Sequence, residues 1–258
     1  MAIHPTAVVA KSAEIDPTCE IGPFAVIGPQ VKMGPGSVVG AHAVLDGDLT
    51  LGARNRIFPH ACLGQIPQDL KYRGEKTRAI IGDRNQFREF VTLHVGTEGG
   101  GGVTRVGSGC LFMASSHVAH DCQVGDGCIL ANSVALGGHV TLEDHVIFGG
   151  IGGAHQFTRV GRLAFAGAGS IVVQDVAPYS MVQGNRAELV GINVTGLQRA
   201  GFDEEQIARV KEAHRIVFRL RLGLKEACAE VRARLGAHPE VAHLAQFLEA
   251  VGERGLVR

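Results

Sequence analysis

The first two thirds of the chain carry an apolar residue at every sixth position. Stepping by six from Ile3 gives Val9, Ile15, Ile21, Ile27, Met33, Val39, Leu45, Leu51, Ile57 and Leu63 without a miss. The phase returns at Ile81, Phe87 and Leu93. A glycine-rich stretch, GTEGGGG, then shifts it by one, and it runs from Val106 through Phe112, Val118 and Val124 to Ala166 and Val172. Small residues recur four places later, as at Ala25, Ser37, Ala43, Ser116, Ala164 and Ser170. Glycine often follows the apolar residue directly, as at Gly22, Gly28, Gly34, Gly52 and Gly107, where a turn with positive φ is expected. A unit of six is too short for a helical repeat and suits one short strand plus a corner of a parallel β-helix. Three such sides make a triangular coil of eighteen residues. Coils stack at roughly 4.8 Å, and each buries its apolar positions against its neighbours.

Two stretches interrupt the repeat, QIPQDLKYRGEKT (65–77) and the glycine-rich 96–104. Insertions in such a fold are expected as surface loops, which often carry binding residues. After about Asp175 the pattern ends, and Pro178 and Tyr179 lead into a connecting stretch. A helix is predicted to open at Asp203, with Gln206 completing a capping box and Ile207, Val210, Val217, Phe218 and Leu220 as its apolar stripe. Two further helices are predicted at 224–235 and 239–251, broken at Gly236 and Gly252. The chain thus reads as mainly β, with a β-helix over 1–185 and a helical C-terminal domain over 186–258.

At 258 residues, with 36 glycines and no tryptophan, the chain is long enough for one large domain or a domain plus a tail. The 25 basic and 25 acidic residues cancel, so no global field recruits nucleic acid or an anionic membrane. The densest local charge is Arg209, Lys211, Arg215, Arg219, Arg221 and Lys225 against one acid, Glu212. The six cysteines form no CxxC pair, and Cys19, Cys110, Cys122 and Cys128 occupy the small position of the repeat, where they read as packing residues. No membrane span and no signal peptide is legible. With reduced thiols, this points to the cytoplasm.

Candidate chemistry concentrates in SSHVAHDCQVG, 115–125. Residues eighteen apart lie above one another on the coil, so His120 stacks with Gly138 and Gln156, and their neighbours His139 and His155 fall on the same edge. His117 lies half a side earlier. Three imidazoles from successive coils could hold zinc with an open position. Alternatively, one histidine acts as general base while a carboxylate fixes its tautomer. The plainer reading is a set of solvated histidines on a polar face.

The motifs HVAHDCQVG, QDLKYRGEKT, GHV, AHQF and GINVTGLQRAGF, spread from the first hexads to the closing GLVR, resemble the acyl-carrier-protein–UDP-N-acetylglucosamine O-acyltransferases of lipid A biosynthesis. The resemblance implies a left-handed β-helix with a helical C-terminal domain, a homotrimer with active sites between subunits, and a reaction without cofactor or metal. A 3-hydroxyacyl group would pass from acyl carrier protein to the sugar 3-hydroxyl. His120 would be the general base, Asp121 its orienting partner, and the backbone N–H of Gly138 the donor to the oxyanion. Adjacent strand residues point oppositely, so Asp121 meets His120 only if the corner bends. Gln68, Asp69 and Lys71 resemble the substrate-positioning set. His117, His139, His155 and Gln156 resemble the sugar and acyl contacts, and Asn193 and Arg199 the nucleotide contacts.

Ala168 stands where residue size sets acyl length in this family, which implies an intermediate or shorter chain. The basic stretch Arg209, Lys211, Arg215, Arg219 and Arg221 is the candidate docking face for the acidic carrier. The chain departs from the family pattern at Arg186, Thr195 and Ala200. The hexads themselves also fit a coenzyme A-dependent hexapeptide acyltransferase or a metal-dependent hydratase resembling γ-carbonic anhydrase. The related N-acyltransferase would carry an extra N-terminal domain, whereas here the hexads begin at Ile3.

Overall fold

The computed structural model describes residues 2–258. Two-residue strands such as Glu20–Ile21 and Val26–Ile27 alternate with short corners. Each strand pairs in parallel with those one coil away, so that Ile3 faces Ile21 and Val39 faces Ile57. The result is a left-handed, three-sided prism. Its first face runs from Ala2–Ile3 to Phe165–Ala166, its second from Val8–Val9 to Ile171–Val172, and its third from Glu14–Ile15 to Arg159–Val160.

The hexad residues point inward as predicted. Ile21, Leu45, Leu63, Phe87, Leu130 and Val172 are all essentially inaccessible, and the rings of Phe87 and Phe112 stack 4.8 Å apart across adjacent coils. Removing one such side chain, as in Leu130→Ala, costs about 2–5 kcal/mol. Ile3 is 41% exposed because its coil is covered on one side only. The small-position residues Cys19, Cys110, Cys122 and Cys128 are buried thiols without disulfide partners.

The glycines behave differently from the expectation. Of the glycines that directly follow a hexad residue, Gly64 alone has a positive φ (81°), and Gly22, Gly28, Gly34, Gly52 and Gly107 do not; the left-handed residue is instead the second corner residue, as at Phe24 (57°), His42 (59°), Asp121 (60°) and His139 (63°). Glycine is required for clearance. A Cβ on Gly28 would lie 2.0 Å from Oδ1 of Asp46, and one on Gly52 would lie 2.1 Å from Oδ1 of Asp83, both on the next coil.

Pairing crosses both inserts without a break, with Ile57 facing Phe87 and Phe87 facing Phe112. Both inserts leave the prism between a strand of the second face and one of the third, and therefore from one edge. Beyond Val172, Ser180–Gln183 adds a parallel strand to Phe165–Ala166, and Glu188–Ile192 returns antiparallel to it. In the sequence this part reads as a connecting stretch, because a hairpin beyond the last full coil no longer has to fill a six-residue repeat.

Four helices follow: α1 (Val194–Arg199), α2 (Glu204–Arg219), α3 (Leu224–Leu235) and α4 (Pro239–Glu249). The capping box at Asp203 and Gln206 is formed, and Ile207, Val210 and Val217 are buried, whereas Leu220 is exposed just past the helix end. Tyr179 sits in the helical core and its hydroxyl donates to the Glu240 carbonyl at 3.1 Å. Arg159 on the third face donates to the Ala250 carbonyl at 2.6 Å and lies 4.1 Å over the Phe247 ring, joining helices to prism.

Candidate active site

The edge from which both inserts leave also carries, on successive coils, the corner pairs His120–Asp121, Gly138–His139 and Gln156–Phe157. The backbone links them directly: His139 N–H donates to the His120 carbonyl at 3.0 Å and Phe157 N–H to that of Gly138 at 3.1 Å. The left-handed conformation of Asp121 supplies the bend that the sequence required. Its carboxylate turns back to His120, whose Nδ1 lies 2.8 Å from Oδ2. An ionised carboxylate only accepts, so Nδ1 carries the proton and Nε2 is left with a lone pair. That is the tautomer a general base needs.

The Asp121 side chain is fully buried. Besides His120, its oxygens accept from Thr97 N–H at 2.9 and 3.1 Å and from Thr97 Oγ1 at 2.6 Å. The Asp121 N–H donates to Thr104 Oγ1 at 2.8 Å. Thr97 and Thr104 belong to the second insert, which folds down over the carboxylate. Only the insert's glycines mark this in the sequence.

Gly138 sits directly over the His120 ring. A Cβ there would lie 2.5 Å from Cε1 and 2.7 Å from Nε2, and the Gly138 N–H makes no hydrogen bond among the described residues. His139 packs edge-on to His120 at 5.1 Å and face-on to Phe157 at 4.3 Å, with its Nε2 3.9 Å from Asp121 Oδ2. Burial pushes the His139 pKa down, opposed by the Asp121 and Asp69 carboxylates. Burial also lowers His117, with His120 adding to the effect; its Nδ1 lies 2.7 Å from Thr92 Oγ1. Behind it, buried His94 packs edge-on to His117 at 4.8 Å and is pushed down to about 4 by burial. His94 and Thr92 were missed in the sequence, although a histidine in the place glycine usually takes after hexad residue Leu93 was a visible signal.

The three-histidine cluster is not assembled within one chain. Among the described residues, His120, Asp121 and His139 bring donor atoms within 4.8 Å of one another; His155 is exposed, with Nδ1 3.1 Å from the carbonyl of Gln156, itself exposed. Asp121 and the Nδ1 of His120 are moreover already bonded to each other. Of the first insert, Gln68 and Lys71 are exposed, and half-buried Asp69 accepts from Lys71 N–H at 2.9 Å.

The remaining candidates lie elsewhere. Ala168 is exposed on the edge between the first and second faces. Asn193, Thr195, Arg199 and Ala200 line a cavity of about 430 Å³ at the edge between the third and first faces, with His145 and Phe165. Both ends of the Asn193 amide are occupied, capping α1 through Gly196 N–H and donating to the Leu163 carbonyl at 2.9 Å. Arg199 is exposed, with no ion pair among the described residues. Of the five candidate docking cations, Arg209 is held by Glu240 at 2.7 Å and Arg215 by Glu212 at 2.8 Å, while Lys211 and Arg219 on α2 and Arg221 just past its end are exposed and make no ion pair among the described residues.

Known proteins place this arrangement. A family model described as UDP N-acetylglucosamine O-acyltransferase, domain 2, matches residues 175–257, and one for the bacterial transferase hexapeptide (six repeats) matches 12–47 and 104–138. The acyl-[acyl-carrier-protein]–UDP-N-acetylglucosamine O-acyltransferase of Anaeromyxobacter sp. strain Fw109-5 is 62% identical over 258 residues, covering all of both chains. That of Myxococcus xanthus strain DK1622 is 59% identical over 256 residues, covering 99% of each. The solved UDP-N-acetylglucosamine O-acyltransferase of Moraxella catarrhalis superposes over 100% of both chains with a TM-score of 0.97 at 40% identity. With hexads, inserts and helical tail all matched end to end, the chain belongs to the acyl-[acyl-carrier-protein]–UDP-N-acetylglucosamine O-acyltransferase family.

Proposed function

We propose that the protein transfers a 3-hydroxyacyl group from acyl carrier protein to the 3-hydroxyl of UDP-N-acetylglucosamine, the first step of lipid A biosynthesis, with His120 as general base. The observation that carries the mechanism is the bonded His120–Asp121 pair under Gly138. His120 Nε2 takes the proton of the sugar hydroxyl as its oxygen attacks the thioester carbonyl. The oxyanion of the tetrahedral intermediate accepts from the Gly138 N–H. Collapse breaks the C–S bond, and the imidazolium returns its proton to the departing carrier thiolate. General-base transfer contributes typically 10²–10⁴-fold, and an oxyanion donor about 10²–10³-fold.

His139, Gln156, Asp69, Gln68 and Lys71 surround the His120 edge and suit sugar and acyl contacts, with His117 and His155 flanking them. Arg199 suits the pyrophosphate, since a guanidinium can donate to it in pairs. The outward residues support a homotrimer. The first face presents Leu111, Ile129 and Ile147 toward its C-terminal end, and Glu20, Arg56 and Gln86 nearer the N-terminus; the second presents Val8, Val26, Val44 and Ile171; the third presents Glu14, Lys32, Arg105 and Gln123. The edge between the first and second faces carries a ladder of rings, Phe24, His42, His60 and Phe90, each 5.0 Å from the next. Three copies with this edge at the axis would cover the second face and the apolar part of the first. His120 of one copy would then lie beside the Arg199 cavity of its neighbour, giving an active site between subunits. The absence of disulfides among the described residues supports a reducing compartment, the cytoplasm. No helix among the described residues is long and apolar enough to cross a membrane.

The test is product mass after incubation with UDP-N-acetylglucosamine and 3-hydroxyacyl carrier proteins of several lengths. Singly acylated sugar nucleotide is expected, with Ala168→Gly moving the preference to longer chains. No product with any donor would reject the reading; product only with acyl-coenzyme A would replace the donor.

A further inference from the structure

We propose that Thr97, carried by the glycine-rich segment 96–102, is a positioning residue for the transfer: it fixes the Asp121 carboxylate so that His120 holds Nε2 toward the substrate. The inference rests on the reading of His120 as base. Thr97 supplies both of the non-histidine donors on that carboxylate. Its N–H reaches both oxygens, and its hydroxyl, at 2.6 Å, binds the same Oδ2 that takes the His120 Nδ1–H. The segment is built for this approach. A Cβ on Gly100 would lie 2.1 Å from Asp121 Cγ, and one on Gly96 would lie 2.8 Å from Oδ1. Only glycine lets the loop close on a buried carboxylate at this distance. Asp121 is itself at a corner with φ of 60°, so its direction depends on what grips the carboxyl end. Without the Thr97 hydroxyl, the carboxylate loses one of its two non-histidine donors and gains freedom to turn, and the imidazole turns with it.

Thr97 acts through Asp121 and not on substrate, so its loss should fall on kcat and spare KM. The experiment compares the full-length parent with Thr97→Val, Thr97→Ser, Asp121→Ala and Thr97→Val/Asp121→Ala, with folding checked by circular dichroism. Hydrogen bonds to charged groups are among the stronger ones, so Thr97→Val should lower kcat about 10-fold or more, with KM for both substrates within about 2-fold. Thr97→Ser should restore the rate. On an Asp121→Ala background, Thr97→Val should cost nothing further. A Thr97→Val enzyme with parental kcat would overturn the proposal, as would a loss that multiplies fully with Asp121→Ala. If Thr97→Val does not fold, Thr97→Ala is held to the same outcomes. A parallel His120→Ala enzyme with parental rate would instead remove the base reading itself.

Discussion

Gly138 offers a way to disable His120 without touching it. Its backbone is not in the left-handed region, so alanine is conformationally acceptable there. The new methyl carbon, however, would stand 2.5 Å from His120 Cε1 and 2.7 Å from Nε2, where ordinary contacts begin near 3.4 Å. The ring must give way by about 1 Å, and a displacement of that size can cost about 100-fold in rate, or about 2.7 kcal/mol of barrier. Swinging the ring also weakens its bond to Asp121, at a stability cost of about 1.5–3 kcal/mol for a charge-assisted contact. Gly137 is the control. A Cβ there meets main-chain atoms of the next coil, Gln156 N at 2.8 Å and Ala154 O at 3.1 Å, which cannot swing aside. Gly137→Ala should therefore lose stability first. The assay is steady-state acyl transfer beside denaturant unfolding for each variant. A Gly138→Ala enzyme with kcat within about threefold of the parent would refute the placement of the His120 ring.

Two further outcomes follow from the charge arrangement. On α2 and just past its end, reversing the unpaired Lys211, Arg219 and Arg221 to glutamate should raise KM for the acyl-carrier donor more than reversing paired Arg215, with the difference shrinking in high salt; equal effects would remove carrier docking from this face. Buried His94 and His214 are both pushed down to about 4, chiefly by burial. Unfolded, they titrate near 6.5, so between these values the unfolded chain binds more protons and stability falls as the pH drops from about 6.5 toward 4. The slope approaches 1.4 kcal/mol per pH unit for each histidine. Because His214 Nε2 has no hydrogen-bond partner among the described residues, His214→Phe should flatten it, and denaturant midpoints that ignore this substitution would refute the assignment.

What the sequence disclosed follows from how each part is built. A prism of stacked coils forces the same inward position every six residues, so the core from Ile21 to Val172 was legible, as was the alignment of His120 with Gly138 and Gln156. The capping box at Asp203 was equally local. The role of the hexad glycines was not, because clearance from Asp46 or Asp83 one coil away is a property of stacking and leaves no trace beyond the glycine itself. The contact between Thr97 and Asp121 was hidden for a related reason: insert length does not reveal where a loop folds. His155 shares an edge with His139 but lies sixteen residues on, one place before Gln156 rather than one after it, so the eighteen-residue period puts Phe157 and not His155 over His139. Ala168, Arg199 and His120 occupy three different edges, and their relation becomes meaningful only when copies of the chain are set side by side.

The most direct measurement is the transfer rate of His120→Ala, with saturating UDP-N-acetylglucosamine and 3-hydroxyacyl carrier protein, alongside its affinity for the sugar nucleotide. The mechanism predicts a fall in kcat of about 10²–10⁴-fold with folding and nucleotide affinity retained. A variant that still transfers at a rate within about tenfold of the parent would contradict the role given to His120 and, with it, that of the Asp121 carboxylate beside it.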